Sequence, residues 1–258
     1  MSKKNELVET KKTGVALPIN YGADGYTGLE GTSKDDFAIP MLRIIQRMSP
    51  QLTKSDPNYI KGATAGMILN SAINKAYPGD EGIFVVPCSY KRSYIEFVLR
   101  ENGGGFKGEH PDDTPLIREC KRDDKNRDIL PNGHQLVDTR TFGVLMIEEG
   151  GVATPCVLTF SSTQGKKSQR WLTQMQALMS KEIGEYGKPL PMFAHIWKLT
   201  TQEESNDKGT WDGWVIEHVG LLHEVLGARA QDIFTQARVF AESMRSGAMR
   251  ARHDDEAF

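Results

Sequence analysis

Residues Gly82–Leu99 constrain the fold more than any other stretch of the chain. They are rich in β-branched and aromatic side chains, and the run is long enough to bend or to turn back as a hairpin. Pro87 inside it has no amide hydrogen to give to a strand ladder, so it marks an edge or a bulge. Other segments carry the same strand signal. Leu136–Glu148 and Val152–Ser161 form a hairpin around Gly150 and Gly151. Phe193, His195, Trp197 and Leu199 alternate with smaller or polar residues, as do Trp211–Val219, with turn chemistry at Ser205–Gly209 between them. Met67–Asn70 is a shorter candidate, and Phe37–Ile45 reads as a strand or a short helix.

Two helices break this pattern. Trp171, Leu172, Met175, Leu178 and Met179 recur on one helical face, with Ser162 or Thr163 to cap the start and Gly184 to end it. Ile233, Phe234, Ala237, Phe240, Ala241 and Met244 mark a second helix over about Ala228–Arg245, stopped by Gly247. Five to seven strands with a helix inserted before the last pair predict a mainly β, α+β fold. An OB-like small barrel elaborated by insertions fits the short strands and glycine-rich turns, and an open α+β sheet is the competing reading. Residues 1–34 are polar and glycine-punctuated, so they are expected to be a flexible arm. Residues 35–247 form the domain, and 248–258 are a tail.

Composition narrows the chemistry. The net charge of −2 gives no overall field toward nucleic acid or membrane, so any such partner must be read from local clusters. No apolar run reaches the length of a membrane span, and Met1–Lys12 lacks the apolar core of a secretory signal. The 3 cysteines are scattered, with no CxxC pair, which fits a reducing, cytoplasmic setting and argues against a structural zinc site. Gly103, Gly105 and Gly108 spell a dinucleotide fingerprint, but Pro111 follows where a helix is needed, so a flexible hairpin loop is expected. Gly165–Ser168 imitates the end of a phosphate-binding loop, yet Phe160 stands where that loop needs glycine. Catalytic groupings are thin: no cofactor and no metal site is expected, and the chain is read as non-enzymatic. The enzymatic alternative is a metal-dependent nuclease using Asp112, Asp113, Asp123 and Asp124.

The positive signal is cations interleaved with aromatics. Tyr90, Lys91, Arg92 and Tyr94 form one cluster with Arg100 downstream; on a strand, Tyr90, Arg92 and Tyr94 share a face. Phe106 and Lys107 stand at the tip of the glycine loop. Lys166, Lys167 and Arg170 open the first helix, where the macrodipole disfavours cations. Lys198 follows Trp197, and Trp211 lies in a glycine-flanked turn that suits an exposed stacking platform. Rings that stack bases, with lysine and arginine tracking phosphates, are the chemistry of single-strand binding.

The chain ends Asp254-Asp255-Glu256-Ala257-Phe258, an acidic tip closed by an aromatic residue and its carboxylate. With this tail, the strand-rich core and the basic-aromatic strands, the sequence resembles the single-stranded DNA-binding proteins of tailed bacteriophages. The resemblance implies an OB-fold core and coating of unpaired DNA during replication, recombination and repair. It further implies recruitment of polymerase or helicase through Asp254, Asp255, Glu256 and Phe258, and a homodimer. A third expectation, outside both enzyme and DNA binder, is a structural or inhibitory viral protein whose aromatics are all core.

Overall fold

In a computed structural model, residues 28, 30–32, 39–181, 188–207, 209–247 and 249 are described. The strands are β1 (Met41–Ile44), β2 (Ile68–Asn70), β3 (Lys75–Tyr77), β4 (Ile83–Phe97), β5 (Phe106–Pro111) and β6 (Lys121–Arg122). They continue with β7 (Asp128–Ile129), β8 (Gln135–Ile147), β9 (Ala153–Ser161), β10 (His195–Asn206) and β11 (Gly209–Leu221). The helices are α1 (Gly165–Lys181), the short α2 (Leu222–Leu226) and α3 (Ala230–Arg245). The expected mainly β, α+β class is observed, with more strands than the five to seven read from the sequence: among the described residues, 11 strands hydrogen-bond into one sheet.

The main path of the sheet runs β11-β10-β4-β8-β9-β1-β2-β3. Only the β1–β9 pairing on this path is parallel, with Met41 opposite Val157. β4 is the spine. Along one edge it pairs with β8 from Phe84 to Phe97. Along the other it pairs first with β10 at Ile83–Val85 and then with β5 at Ser93–Phe97. Its sequence fits the position, because a strand buried on both faces must be apolar at consecutive residues, as Val85 and Val86 are. The sheet curls until the β1 end meets the β10–β11 end. There the Gln46 amide both donates to the Asp212 carbonyl (2.9 Å) and accepts the Asp212 amide hydrogen (3.0 Å). Gly79 sits at the same closure. Its carbonyl accepts the Thr201 amide hydrogen at 2.9 Å, and a Cβ there would overlap the Gly66 carbonyl and the Thr201 hydroxyl.

Each face of the sheet is covered by its own helix. Ile83, Val85, Phe142, Val144 and Leu158 face α1, whose Trp171 and Met175 complete that core. Val86, Cys88, Leu145 and Ile196 face α3, which supplies Ile233, Ala237 and Phe240. Trp171 is the hub of the first core: its indole stacks on Phe142 at 4.6 Å and meets Phe160 and Trp197 edge-on at 6.1 and 5.8 Å. Cys88 and Cys156 lie buried as free thiols, and burial pushes both up to about 12, so they behave as small apolar side chains. No helix among the described residues is long and apolar enough to cross a membrane.

Candidate nucleic-acid interface

A β-bulge decides which side chains reach this site. Pro87 pairs with Val144 and Ser89 with Gly143, so Cys88 is an extra residue in β4. Before the bulge, even-numbered residues such as Phe84 and Val86 face α3. After it, the even-numbered residues Tyr90, Arg92 and Tyr94 face α1 instead. Re-aiming side chains is what an inserted residue does to a strand. The missing amide hydrogen of Pro87 makes this the tolerant place for it.

The three side chains lie in a row. Tyr90 is 38% exposed, and its ring rests on Phe142 at 5.1 Å, in the layer that stacks on Trp171. Arg92 crosses the face of Tyr94, its guanidinium carbon 5.7 Å from the ring centre, and donates to the Tyr94 hydroxyl at 3.1 Å. Arg92 also makes a two-pronged bond to Asp138, both contacts 3.0 Å; this hydrogen bonding pushes the guanidinium pKa up and holds it charged. The cross-strand neighbour of Arg92 is a residue that sequence reasoning missed, Arg140. Arg140 is 9% exposed and reaches the same carboxylate oxygen of Asp138 at 3.1 Å.

Arg140 joins this row to the start of α1. Strand β9 ends beside β8 at Ser161, opposite Thr139, and one turn of 3-10 helix, Ser162–Gln164, leads into α1. Gly165 opens α1 against the Arg140 guanidinium, where a Cβ would stand 2.5 Å from its Nη1. Lys166 and Arg170 are exposed on the first two turns, which carry no acidic residue. Lys167 turns inward: its ammonium bonds the Glu204 carboxylate and donates to the Trp214 carbonyl at 2.6 Å. Trp211 comes to the same knot, giving its indole hydrogen to Glu204 at 2.9 Å. Through Arg140, the Tyr90–Tyr94 row on β4 thus lies next to the first residue of α1, the helix that carries exposed Lys166 and Arg170. Along the β4 row and the start of α1, the cations Arg92, Arg140, Lys166, Lys167 and Arg170 outnumber the carboxylates Asp138, Glu204 and Glu96.

Other expected contacts lie elsewhere. Lys91 alternates to the opposite face and pairs with Glu109 at 2.8 Å. Lys198 extends over the Phe84 ring at 5.9 Å, on the side of the sheet that faces α3. Phe106 and Lys107 are not at a loop tip but begin β5, and Phe106 packs on Phe97 at 6.3 Å in a small satellite core with Ile95 and Val137. Arg100 is exposed on the 3-10 turn before the glycine loop. Trp211 is half-buried rather than the open platform its turn suggested. Asp254, Asp255, Glu256 and Phe258 lie outside the described residues, as do most of residues 1–34. Asp112 and Asp113 follow β5 and are exposed; Asp123 binds Arg127 at 2.7 Å beside exposed Asp124. No group of three or more His, Cys, Asp or Glu among the described residues could hold a metal ion.

The row on β4 ends at Glu96, beyond Tyr94. Its carboxylate oxygens lie 2.8 Å from a His110 ring nitrogen and 2.6 Å from one of His134, and Asn132 donates at 3.0 Å. Burial alone would push the carboxyl up; the hydrogen bonds from His134, His110 and Asn132 outweigh it and hold the carboxyl below its usual 4.5. A carboxylate depressed by folding stabilises the fold above its unfolded pKa, and that contribution is lost as pH falls through the folded value. Glu96→Gln is therefore expected to lower the urea midpoint at neutral pH. Its midpoint should converge on that of the parent protein below about pH 4.5. A gap between the two that persists unchanged into acid would show that this carboxylate does not govern acid sensitivity.

The family model described as Pam3 phage gp34-like protein matches residues 8–250. No curated protein matches, and no solved structure does.

Proposed function

The chain belongs to the Pam3 phage gp34-like protein family, and on that premise we propose that it is a non-catalytic single-stranded DNA-binding protein that coats unpaired DNA with little sequence preference. The observation that carries this reading is the row of Tyr90, Arg92 and Tyr94, which Arg140 joins to the acid-free start of α1. Half-exposed rings at strand spacing offer bases a surface to stack on, and the flanking cations can follow the phosphates. The curl of the sheet supports an OB-like character for the platform. In this reading the protein acts in phage replication, recombination and repair, within the host cytoplasm and as a homodimer. Its acidic end, Asp254–Phe258, docks polymerase or helicase through carboxylate–cation pairs and an inserted ring.

The test is fluorescence anisotropy of a labelled oligo-dT against a labelled duplex at several salt concentrations. Binding to the single strand is expected, weaker for duplex, with affinity falling as salt rises. Arg92, Arg140, Lys166 and Arg170, less the Asp138 carboxylate bonded to two of them, amount to three phosphate contacts and a log–log slope of roughly −2, at about −0.7 per contact on a single strand. No rise in anisotropy at low salt, or equal affinity for duplex, would overturn the proposal. Tryptophan emission would report on Trp211 alone against a constant signal, because Trp171, Trp197 and Trp214 are all buried.

A further inference from the structure

We infer that Asp138 occupies a phosphate seat of this face and thereby limits how tightly the protein holds a strand; the inference rests on the single-strand reading above. Arg92 and Arg140 are directly opposite one another on β4 and β8. Like charges in that position repel and destabilise a sheet unless an anion lies between them. Asp138 is that anion. Its Oδ1 accepts from Arg92 Nε at 3.0 Å, and its Oδ2 accepts from Arg92 Nη2 at 3.0 Å and from Arg140 Nη2 at 3.1 Å. Two guanidiniums converging on one anionic oxygen pair is the arrangement in which arginines hold a phosphate.

One carboxylate cannot neutralise two guanidiniums, so the trio keeps one positive charge. The side chains of Arg92 and Asp138 are 39% and 33% exposed, so a phosphodiester can reach the place the carboxylate fills. Arg140, by contrast, has only 10% of its side chain exposed and is held against the first residue of α1. The seat therefore persists whichever anion fills it. Asp138 competes with every arriving phosphate for the same donors. A strand must displace it or share with it, and both weaken binding relative to an empty pair of arginines.

The experiment is oligo-dT anisotropy with the parent protein, Asp138→Asn, Arg92→Ala and the double variant, each checked by thermal melting. Asp138→Asn keeps the shape and removes the charge. It is expected to bind roughly three- to tenfold tighter at low salt, the size of one unit charge a few ångströms away in a water-like medium. The salt slope should steepen by about 0.7. In the Arg92→Ala background the gain should shrink, because one arm of the seat is gone. If Asp138 instead merely positions the arginines, Asp138→Asn binds more weakly or with the same slope, and the inference is overturned. Should the asparagine variant melt early, Asp138→Ser supplies the same readout. A parent protein that binds no oligo-dT at all removes the function proposal itself, an outcome distinct from a binding parent whose Asp138→Asn variant shows no gain.

Discussion

Reversing Lys166 and Arg170 to glutamate lowers single-strand affinity roughly 100-fold at moderate salt while leaving the fold as stable as before or more so. Each reversal removes one phosphate contact and adds one repulsion, and the salt slope should flatten by about 1.4 for the two lost contacts. The opposite sign on stability is what makes this pair informative. Lys166 is the second residue of a 17-residue helix with no acid in its first turn. A glutamate there meets the positive end of the helix macrodipole and stabilises by about 0.3–1 kcal/mol. Arg170 is exposed a turn further on, where the dipole has faded. Weaker binding thus cannot be explained by unfolding. Anisotropy and a melting curve on the same sample measure both quantities, and unchanged affinity would place the strand away from α1.

Trp171→Ala is expected to have the largest effect on stability, about 3–5 kcal/mol, as removal of a buried tryptophan leaves a cavity that neighbours fill only in part. Trp171 is 1% exposed and touches Phe142, Phe160 and Trp197, large rings that can move only a little way into the gap. For a domain of this size the melting temperature should fall by roughly 6–20 °C. The same substitution removes the stack behind Phe142, on which Tyr90 rests, so the variant should bind single strands less well even below its melting point. A fall of only a degree or two would mean that α1 contributes little to the core.

Local pattern made much of this fold readable. The hairpin over Leu136–Ser161 and the helix over Ala228–Arg245 appear within a few residues of their expected bounds, because alternation and helical periodicity are local and the glycines between them are strong breakers. Pro87 pointed to an edge or a bulge, and a bulge is there. What a single sequence does not carry is the register between distant strands. Arg140 went unnoticed because its role exists only once β8 lies against β4 and sets it opposite Arg92. Nearness in the chain groups Lys91 and Lys198 with the aromatic clusters, but strand alternation sends both to the other face. Trp211 follows the same rule: its turn is open, yet Glu204 from the facing strand draws its indole inward.

The parallel pairing of β1 with β9 has a consequence for how the chain is made. Met41 meets Val157, about 115 residues further along, so the first strand leaves the ribosome long before its partner exists. At roughly 5–20 residues per second, that delay is about 6–23 s. Through that interval Met41 and Leu42, sealed in the finished core, lack the β9 edge, and β2 is the strand that pairs with theirs. Nascent chains are thus exposed to premature association for a span set by translation speed rather than by any folding barrier.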